Sequence, residues 1–328
     1  MTTIAINNLT QLDYAAVFDS EPQLRSPYVF NSPRFSGGSY NVSVLLTGET
    51  TEDEQVVLDF STAKKLIKGL IDHKEIGLDH KLLMNWQQLK GYDANLGYGT
   101  EYCNEFWPMT APSDAIHVVP FKLDPQTIQA ELQTYLSTWL TQKLAEMHDL
   151  PITVQVYLSE AFTVPDLDGN SPTTAKFRYT HGLPRSSSWG CRNLFHGHLS
   201  ILALYGYPPK YDDEAFELAS RIAAWLHNCH LVEASHLQLS LGVVVYDSSE
   251  CGERGYFSFE STDFGQNFIR VFDKATTIEN ITDSVLEHFK SELQEIGVTM
   301  LYVSEGLVKG AVAHVPRLDG IGEDGSFH

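Results

Sequence analysis

Cysteine is scarce in this chain. Its 328 residues contain four cysteines, Cys103, Cys191, Cys229 and Cys251, and no two of them form a Cys-x-x-Cys pair. Thiols that are so few and so widely spaced argue against a scaffold held together by disulfides. They are typical of a protein in a reducing compartment, and we therefore expect a cytoplasmic location.

Positive charge is also in short supply. Lys and Arg number 22 against 42 Asp and Glu, which gives a formal net charge of −20. Phosphate contacts need a surplus of cations, so this balance argues against a nucleic-acid partner. The same negative field opposes an anionic substrate, and any site for phosphate must therefore be locally basic.

Long hydrophobic runs are missing too. No stretch approaches the roughly 20 apolar residues of a membrane span, and the N-terminal residues have neither the basic region nor the apolar core of a signal peptide. We therefore expect no membrane partner. The chain instead has 43% apolar residues spread over a length that suits two packed domains.

The most informative residues lie between Cys191 and His198. His196-Gly-His198 leads into an apolar, alternating run that predicts a strand, on which residues i and i+2 share a face. His181, earlier in the chain, offers a third imidazole. Three histidines with an open position form a catalytic zinc site, with Cys191 as an acid/base or nucleophile candidate. The alternative is that two exposed histidines flank a turn by chance.

The order strand–strand–helix–strand–helix–strand is predicted twice, which indicates a diverged internal duplication. Turn residues are concentrated between Pro165 and Pro172, which predicts a linker. Two stretches, 88–118 and 247–268, are predicted only as loops or extra hairpins. The resulting division is a first unit over 1–164, a linker over 165–172, a second unit over 173–318 and a flexible tail over 319–328.

These motifs resemble a known family. Phe177-x-x-x-His181-x-Leu183, followed by Cys191 and His196-Gly-His198, is similar to the zinc-binding part of the 6-pyruvoyltetrahydropterin synthase / 6-carboxytetrahydropterin synthase family. The resemblance implies an α+β fold of two tandem tunnelling-fold units, each a four-stranded antiparallel sheet with two helices on one face. It also implies zinc bound by His181, His196 and His198, and closure of the sheets into barrels in a homo-oligomer.

The first half carries a second family-like motif, Leu78-Asp79-His80-x-x-x-x-Asn85. An aspartate beside a histidine can fix its tautomer and support proton transfer. The resemblance implies that Asp79 and His80 are catalytic together with Cys191. The alternative is that Asp79 caps a short helix.

The two halves look complementary. The first keeps the Asp-His pair and has lost the metal, whereas the second keeps the metal and has at best Ser235-His236 in place of the pair. In the family the pair comes from a neighbouring subunit, so one complete site per first-half/second-half interface is expected. The residues that stand for the three ligands in the first half are Pro22, Ser36 and Gly38.

Substrate binding is also implied by the resemblance. A glutamate on the last strand anchors the pterin through a bidentate, charge-assisted match, and Glu305 and Glu160 both fit this position. Thr277-Ile-Glu279-Asn280 resembles a segment at the mouth of the site. Either glutamate can equally be a solvated residue at a strand end, and Glu279 a plain residue of a helix start.

The implied activity is that of a zinc-dependent lyase acting on 7,8-dihydroneopterin triphosphate. Zinc would polarise the side-chain oxygens of the substrate, while Cys191 and His80 would each move a proton. The product would be 6-pyruvoyl- or 6-carboxytetrahydropterin, and the latter would in a bacterium feed synthesis of queuosine, a deazapurine tRNA base. Two alternatives are a non-catalytic zinc-containing module that binds a pterin or a partner, and a different zinc lyase.

Overall fold

The computed structural model describes residues 1–18, 34–50, 55–85, 109–238, 243–246, 255, 257–260 and 269–317. Among these residues the helices are amphipathic segments whose buried faces carry apolar side chains at helical spacing. Asp59 caps the first helix by accepting from the amide of Thr62, and Thr277 caps the last. The helices are α1 (Phe60–Ile71), α2 (Ile128–His148), α3 (Asp212–Leu226) and α4 (Ile278–Glu295).

The strands of the described residues form three sheets. In chain order they are β1 (Thr2–Phe18), β2 (Arg34–Gly48), β3 (Lys81–Asn85), β4 (Met109–Thr110), β5 (Ile116–Val119), β6 (Thr153–Ser159), β7 (Thr173–His181), β8 (His196–Tyr205), β9 (Cys229–Glu233), β10 (Leu237–Gln238), β11 (Val243–Tyr246), β12 (Phe257–Glu260), β13 (Ile269–Phe272), β14 (Met300–Glu305) and β15 (Lys309–His314).

The first and second sheets repeat one topology. The first sheet has the order β5-β3-β1-β2-β6 and the second has the order β13-β9-β7-β8-β14-β15. In the first sheet β1 and β2 are antiparallel, β3 runs parallel to β1, and β6 is antiparallel to β2. In the second sheet β7 and β8 are antiparallel, β9 runs parallel to β7, and β14 is antiparallel to β8. The repeated order agrees with an internal duplication and with an α+β class.

The four-stranded antiparallel sheet expected for each half needs correction. The sheets have five and six strands, and β3, β5, β9 and β13 add parallel pairs. The reason is the path of the chain. The strand β2 returns to the start of β1, α1 crosses back along the sheet, and β3 begins beside Tyr14 in the direction of β1.

Each of the two large sheets packs against its helices around one apolar core, and a third core joins the halves. One core consists of inward residues of the first sheet with residues of α1 and α2. The other consists of inward residues of the second sheet with residues of α3 and α4. The third core packs Ala15, Val17 and Met84 of the first half against Leu194 and Phe195 of the second. This contact brings the ends of β1 and β2 onto β7 and β8, where the functional residues lie.

A small bridging sheet of order β10-β11-β12-β4 also connects the halves, since β4 pairs with β12. Its strands β4 and β12 lie in the two stretches that the sequence analysis predicted only as loops or extra hairpins. The end of the predicted first unit and the predicted linker pack against the second sheet, where Phe162 and Val164 of the former and Leu167 of the latter contact the outer face of β8 and β14. The predicted tail, 319–328, lies outside the described residues. In the described part of the chain, no helix has the length and apolarity needed to cross a bilayer.

Candidate metal centre and proton-transfer site

Three buried imidazoles converge at the end of the second sheet. His181 closes β7 directly opposite His196 at the start of β8, and His198 follows on the same face. All three side chains are fully buried, and their ring nitrogens lie within 4.8 Å of one another. The structure thus brings together the three residues that the sequence proposed as metal ligands.

The outer nitrogen of each ring is held in place. His181 Nδ1 donates to the carbonyl of Thr276 at 2.8 Å, and His196 Nδ1 donates to the carbonyl of Asn193 at 2.9 Å. His198 Nδ1 lies 3.2 Å from a carboxylate oxygen of Asp13. The two hydrogen bonds fix the tautomers of His181 and His196 and turn their Nε2 atoms inward, which is how ligating histidines are oriented. The contact of His198 Nδ1 with Asp13 is close, but its geometry is not that of a hydrogen bond.

The spacing of the Nε2 atoms fits a tetrahedral ion. Two nitrogens bound to zinc at about 2.0–2.1 Å with a tetrahedral angle are roughly 3.3–3.4 Å apart. His181 Nε2 and His198 Nε2 lie 3.2 Å apart. Burial, reinforced by the neighbouring rings, lowers the pKa of His181 to about 3 and that of His196 well below its usual range. Neutral imidazoles are the form that binds a metal.

The Asp79–His80 pair of the first half meets Cys191 of the second half within one chain. His80 Nδ1 is 2.5 Å from a carboxylate oxygen of Asp79. Ligand atoms of His80, Cys191 and His196 lie within 4.8 Å of one another, and the rings of His80 and His196 are 5.0 Å apart. The segment that carries Cys191 passes so closely that a Cβ on Gly190 would lie 2.7 Å from His80 Cβ.

Two pKa shifts follow from this contact. Burial opposes the charged form of His80, but the charge of Asp79 and its hydrogen bond dominate, so the pKa of His80 is raised well above its usual value. Burial also opposes ionisation of Cys191. The hydrogen bond and charge of His80 overcome it and lower the pKa of the thiol. The pair therefore favours a thiolate beside an imidazolium.

Glu305 ends β14 beside the three histidines. Its Oε1 lies 4.0 Å from His181 Nε2 and 3.9 Å from His198 Nε2, and its Oε2 forms a 2.8 Å ion pair with Lys309. Burial raises the pKa of Glu305, but its interactions with His198, His181 and Lys309 outweigh burial and lower the pKa to about 2. A carboxylate therefore faces the centre.

The other predicted substrate residues lie elsewhere. Glu160 is not in this cluster and forms a 2.7 Å ion pair with Arg178. Thr277 caps α4, next to the carbonyl that orients His181. Glu279 is exposed in the first turn of that helix.

The strand register corrects two correspondences between the halves. Ala16 lies opposite Ser36 just as His181 lies opposite His196, so Ala16 rather than Pro22 matches His181. Pro22 itself lies outside the described residues.

The counterpart of Asp79–His80 is not Ser235–His236. The His80 amide donates to the Asp13 carbonyl, and the Asn228 amide donates in the same way to the Arg178 carbonyl. His80 and Asn228 also share a left-handed φ of 56°. The structural match is therefore His227–Asn228, placed by backbone geometry that sequence comparison did not detect.

In the first half, Ser36 and Gly38 lie at the positions that correspond to His196 and His198, and we call this the reciprocal position. Ser36 donates to Asn228 Oδ1 at 2.9 Å, and the ring of Tyr14 packs so closely on Gly38 that a side chain there would overlap it. The Arg178–Glu160 ion pair lies beside them. No group that could hold a metal is formed there by the described residues.

Sequence reasoning missed Asp13, which is 2% exposed. It contacts a metal-ligand candidate, His198, and its amide donates to Asp79 at 2.9 Å. One signal was available, because Asp13 is the single charged residue in the apolar run from Leu12 to Phe18. A charge in a buried strand is retained only where it has partners.

Comparisons with known proteins add little. No protein-family model matches the chain, and no curated protein matches it. The crystal structure of the uncharacterized protein WS1659 from Wolinella succinogenes shares 13% sequence identity, covers 44% of this chain and 96% of that chain, and gives a TM-score of 0.29. A likeness of that size carries no argument about fold or function.

Proposed function

We propose that the chain is a zinc-dependent lyase that acts on 7,8-dihydroneopterin triphosphate and forms 6-pyruvoyl- or 6-carboxytetrahydropterin. One observation carries the proposal. His80, held by Asp79, lies within 4.8 Å of Cys191 and His196, and His196 belongs to the three-histidine cluster. Three candidate metal ligands, a thiol and an oriented acid–base group therefore lie close together, which supports the proposal.

Each group has a distinct role in this proposal. His181, His196 and His198 would hold the zinc, which would supply Lewis acidity toward the oxygens of the substrate side chain. Cys191, which His80 favours as a thiolate, accepts a proton from a carbon next to the pterin ring. His80, positively charged beside Asp79, transfers the second proton, and elimination of the triphosphate, or cleavage of the side chain to give the 6-carboxy product, follows.

A cleft beside His80 contains charged groups of both signs. It has a volume of about 210 Å³, and its lining includes Lys74, Lys81 and His80 as well as Asp72 and Asp79. Lys81 Nζ donates to the backbone carbonyls of Lys74 and Glu75, which leaves its charge in place. In a chain of net charge −20, Lys74, Lys81 and His80 are the groups of this cleft that would contact a phosphate, opposite Asp72 and Asp79.

The pterin ring is assigned to Glu305, since Glu305 and not Glu160 lies beside the histidines. Its carboxylate can accept from the amino group and ring N–H of a pterin. Lys309 now holds one of its oxygens at 2.8 Å. Bidentate binding of the pterin requires that this exposed lysine moves away.

The test is turnover of 7,8-dihydroneopterin triphosphate by the zinc-loaded protein, with products identified by mass spectrometry. Cys191→Ala and His80→Ala should each reduce turnover by about 100- to 10,000-fold, because each removes a positioned proton-transfer group. Both variants should keep their zinc in elemental analysis. The matched control is His148→Ala, an exposed histidine at the end of α2.

Turnover of His80→Ala close to that of the wild type would contradict the proposal. That result would leave His80 as a structural residue and direct attention to His236. Failure of the wild type to convert the substrate, with zinc bound, would also contradict it and favour the second candidate.

The second candidate is a non-catalytic module that contains zinc and binds a pterin or a partner. The observation in its favour is Glu305 Oε1, which lies about 4 Å from two Nε2 atoms. A small movement would make it a fourth ligand, and four protein ligands are typical of closed structural zinc sites. The d–d spectrum of the cobalt-substituted protein distinguishes the two, because a closed site does not change when pterin is added.

A further inference from the structure

The carboxylate of Asp13 is buried inside a network of its own. One oxygen accepts a hydrogen bond from Ser39 Oγ and lies 3.2 Å from His198 Nδ1. The other accepts from Gln11 Nε2 at 2.6 Å. Ser39 in turn accepts from the amide of Leu199 on β8 at 3.0 Å, so the carboxylate lies where β1 and β2 cross the second sheet.

The backbone of the same residue holds the proton-transfer pair. The amide of Asp13 donates to Asp79 Oδ1 at 2.9 Å. Its carbonyl accepts from the amide of His80 at 2.6 Å. A single residue thus contacts one ligand of the metal site with its side chain and both members of the Asp79–His80 pair with its backbone.

The second half supplies an internal comparison. Arg178 is the register equivalent of Asp13, since its carbonyl accepts from Asn228 as that of Asp13 accepts from His80. Its guanidinium faces Glu160 and the carbonyl of Gly37. Asp13 therefore places a carboxylate beside the imidazole of His198. Its equivalent, Arg178, places a cation at the reciprocal position, where other residues replace the histidines.

A further contact reaches the strand that carries Glu305. Gln11 holds Asp13 with its amide nitrogen, and Gln11 Oε1 accepts from the amide of Leu307 at 2.9 Å. The side chain also packs tightly on Gly306. Gln11 thereby ties the turn after Glu305 to the Asp13 carboxylate.

We propose that Asp13 is the positioning residue that couples the metal centre of the second half to the proton-transfer pair of the first half. The inference rests on the metal site of the proposed function. The carboxylate orients His198 and would strengthen it as a ligand, while the backbone of Asp13 sets the position of His80 relative to His198. Loss of such a partner of a ligating histidine typically weakens metal binding by about 10- to 100-fold.

The experiment is a Co²⁺ titration of the metal-free full-length protein, followed by the visible d–d spectrum. Asp13→Asn keeps the shape of the side chain and removes its charge, and it should weaken Co²⁺ binding by about 10- to 100-fold. Asp13→Glu should bind more tightly than Asp13→Asn. The control is Asp59→Asn at the start of α1. It also removes one carboxylate charge, and the asparagine side chain can still cap the helix.

A second variant covers the case in which Asp13→Asn does not fold. Gln11→Ala keeps the carboxylate and removes one of its partners, and it should weaken Co²⁺ binding by a smaller factor. Wild-type affinity in both variants, or in Gln11→Ala alone if Asp13→Asn does not fold, overturns the assignment of Asp13 and leaves the metal site intact. If the wild-type protein itself does not bind Co²⁺, the metal site of the proposed function fails, and this inference fails with it.

Discussion

At the residue scale, the site consists of polar groups that are expensive to bury. His181, His196 and His198 are fully buried and Asp13 is nearly so, and each such group needs a partner to offset the loss of water. Backbone carbonyls satisfy two of the imidazoles on their outer nitrogen, and Asp13 faces the third. The inner nitrogens converge, which is the arrangement that a bound metal would satisfy.

The first residue-scale prediction concerns zinc content. We expect one zinc per chain from elemental analysis, since the first half has Ala16, Ser36 and Gly38 where the second has histidines. His196→Ala should reduce the content to near zero, because it removes one of three protein ligands. Ser36→Ala is the matched control in the reciprocal position and should keep one zinc. Two zincs per chain, or none after expression with ample metal, would be incompatible with this site.

The second residue-scale prediction concerns His117, a buried residue of β5. Its Nδ1 donates to the Gly77 carbonyl and its Nε2 lies 2.8 Å from the Tyr135 hydroxyl. Burial, together with the charge of Lys81, lowers the pKa of His117 from 6.5 to about 4. Between these pH values the unfolded chain binds a proton that the folded chain does not, so stability falls as the pH falls.

The expected size of this effect is roughly 2 kcal/mol between pH 7 and pH 5. Urea unfolding of the zinc-loaded wild type and of His117→Gln at both pH values provides the measurement. The variant should lose less stability on acidification than the wild type does. His148→Gln, at an exposed position, should follow the wild type. Equal losses in the wild type and His117→Gln would show that His117 is not the group responsible.

At the element scale, the site depends on how closely β2 crosses β7 and β8. A Cβ on Gly37 would overlap the carbonyl oxygen of Tyr179 and the amide nitrogen of His198, and a Cβ on Gly197 would lie 2.6 Å from the Cα of Gly37. Backbone cannot move aside as the end of a flexible side chain can. Glycine at both positions therefore permits the approach that puts Asp13 beside His198.

This close crossing gives the element-scale prediction. Gly37→Ala should destabilise the protein by about 3 kcal/mol or more, because the overlap involves backbone atoms, and it should weaken zinc binding as well. Gly69→Ala is the control, since Gly69 lies within α1 with open space around it. An alanine there should stabilise the protein by roughly 0.5–1 kcal/mol. Equal melting temperatures for the two variants would refute the proposed crossing.

At the scale of the whole molecule, each half supplies what the other lacks. The first half provides Asp79, His80 and Asp13, and the second provides Cys191 and the three histidines. The halves meet through an apolar core and the bridging sheet. Because the groups of the site belong to one chain, the site does not require a second copy.

The outer strands of the sheets lead to a prediction about assembly. The strands β6 and β15 are at the edges of their sheets, and Tyr157 and Val312 are 43% and 40% exposed there. Unprotected edges invite pairing, and closure of a ring removes them. We therefore expect a dimer or a larger ring in light scattering at micromolar concentration. A monodisperse monomer would contradict this expectation.

The last prediction separates assembly from catalysis. A mixture of Cys191→Ala and His80→Ala proteins should stay inactive after subunit exchange, because each chain then has a broken site of its own. Wild-type protein treated in the same way is the control and should keep its turnover. Recovery of activity in the mixture would show that the two halves of one site come from different chains.

The sequence by itself determined the features that depend on short stretches of chain. Alternation placed His196 and His198 on one face of a strand, and the predicted order of elements contained two helices in each half, as the described residues have. The repeated order of helices and strands was also predictable from the sequence, because the signals for each element lie within a short stretch of residues. The residues proposed as a metal group and those proposed as a proton-transfer group were named at this level.

Only the tertiary structure decided how the two groups meet. Strand register matched Ala16 with His181, and equivalent backbone hydrogen bonds matched Asn228 with His80. Comparison of the two halves by sequence had paired other residues with these histidines. The crossing of β2 over β8 placed Asp13 against His198 and His80 near Cys191. These contacts join residues far apart in sequence through the packing of two sheets, and periodicity within a single strand carries no information about which distant strand will lie against it.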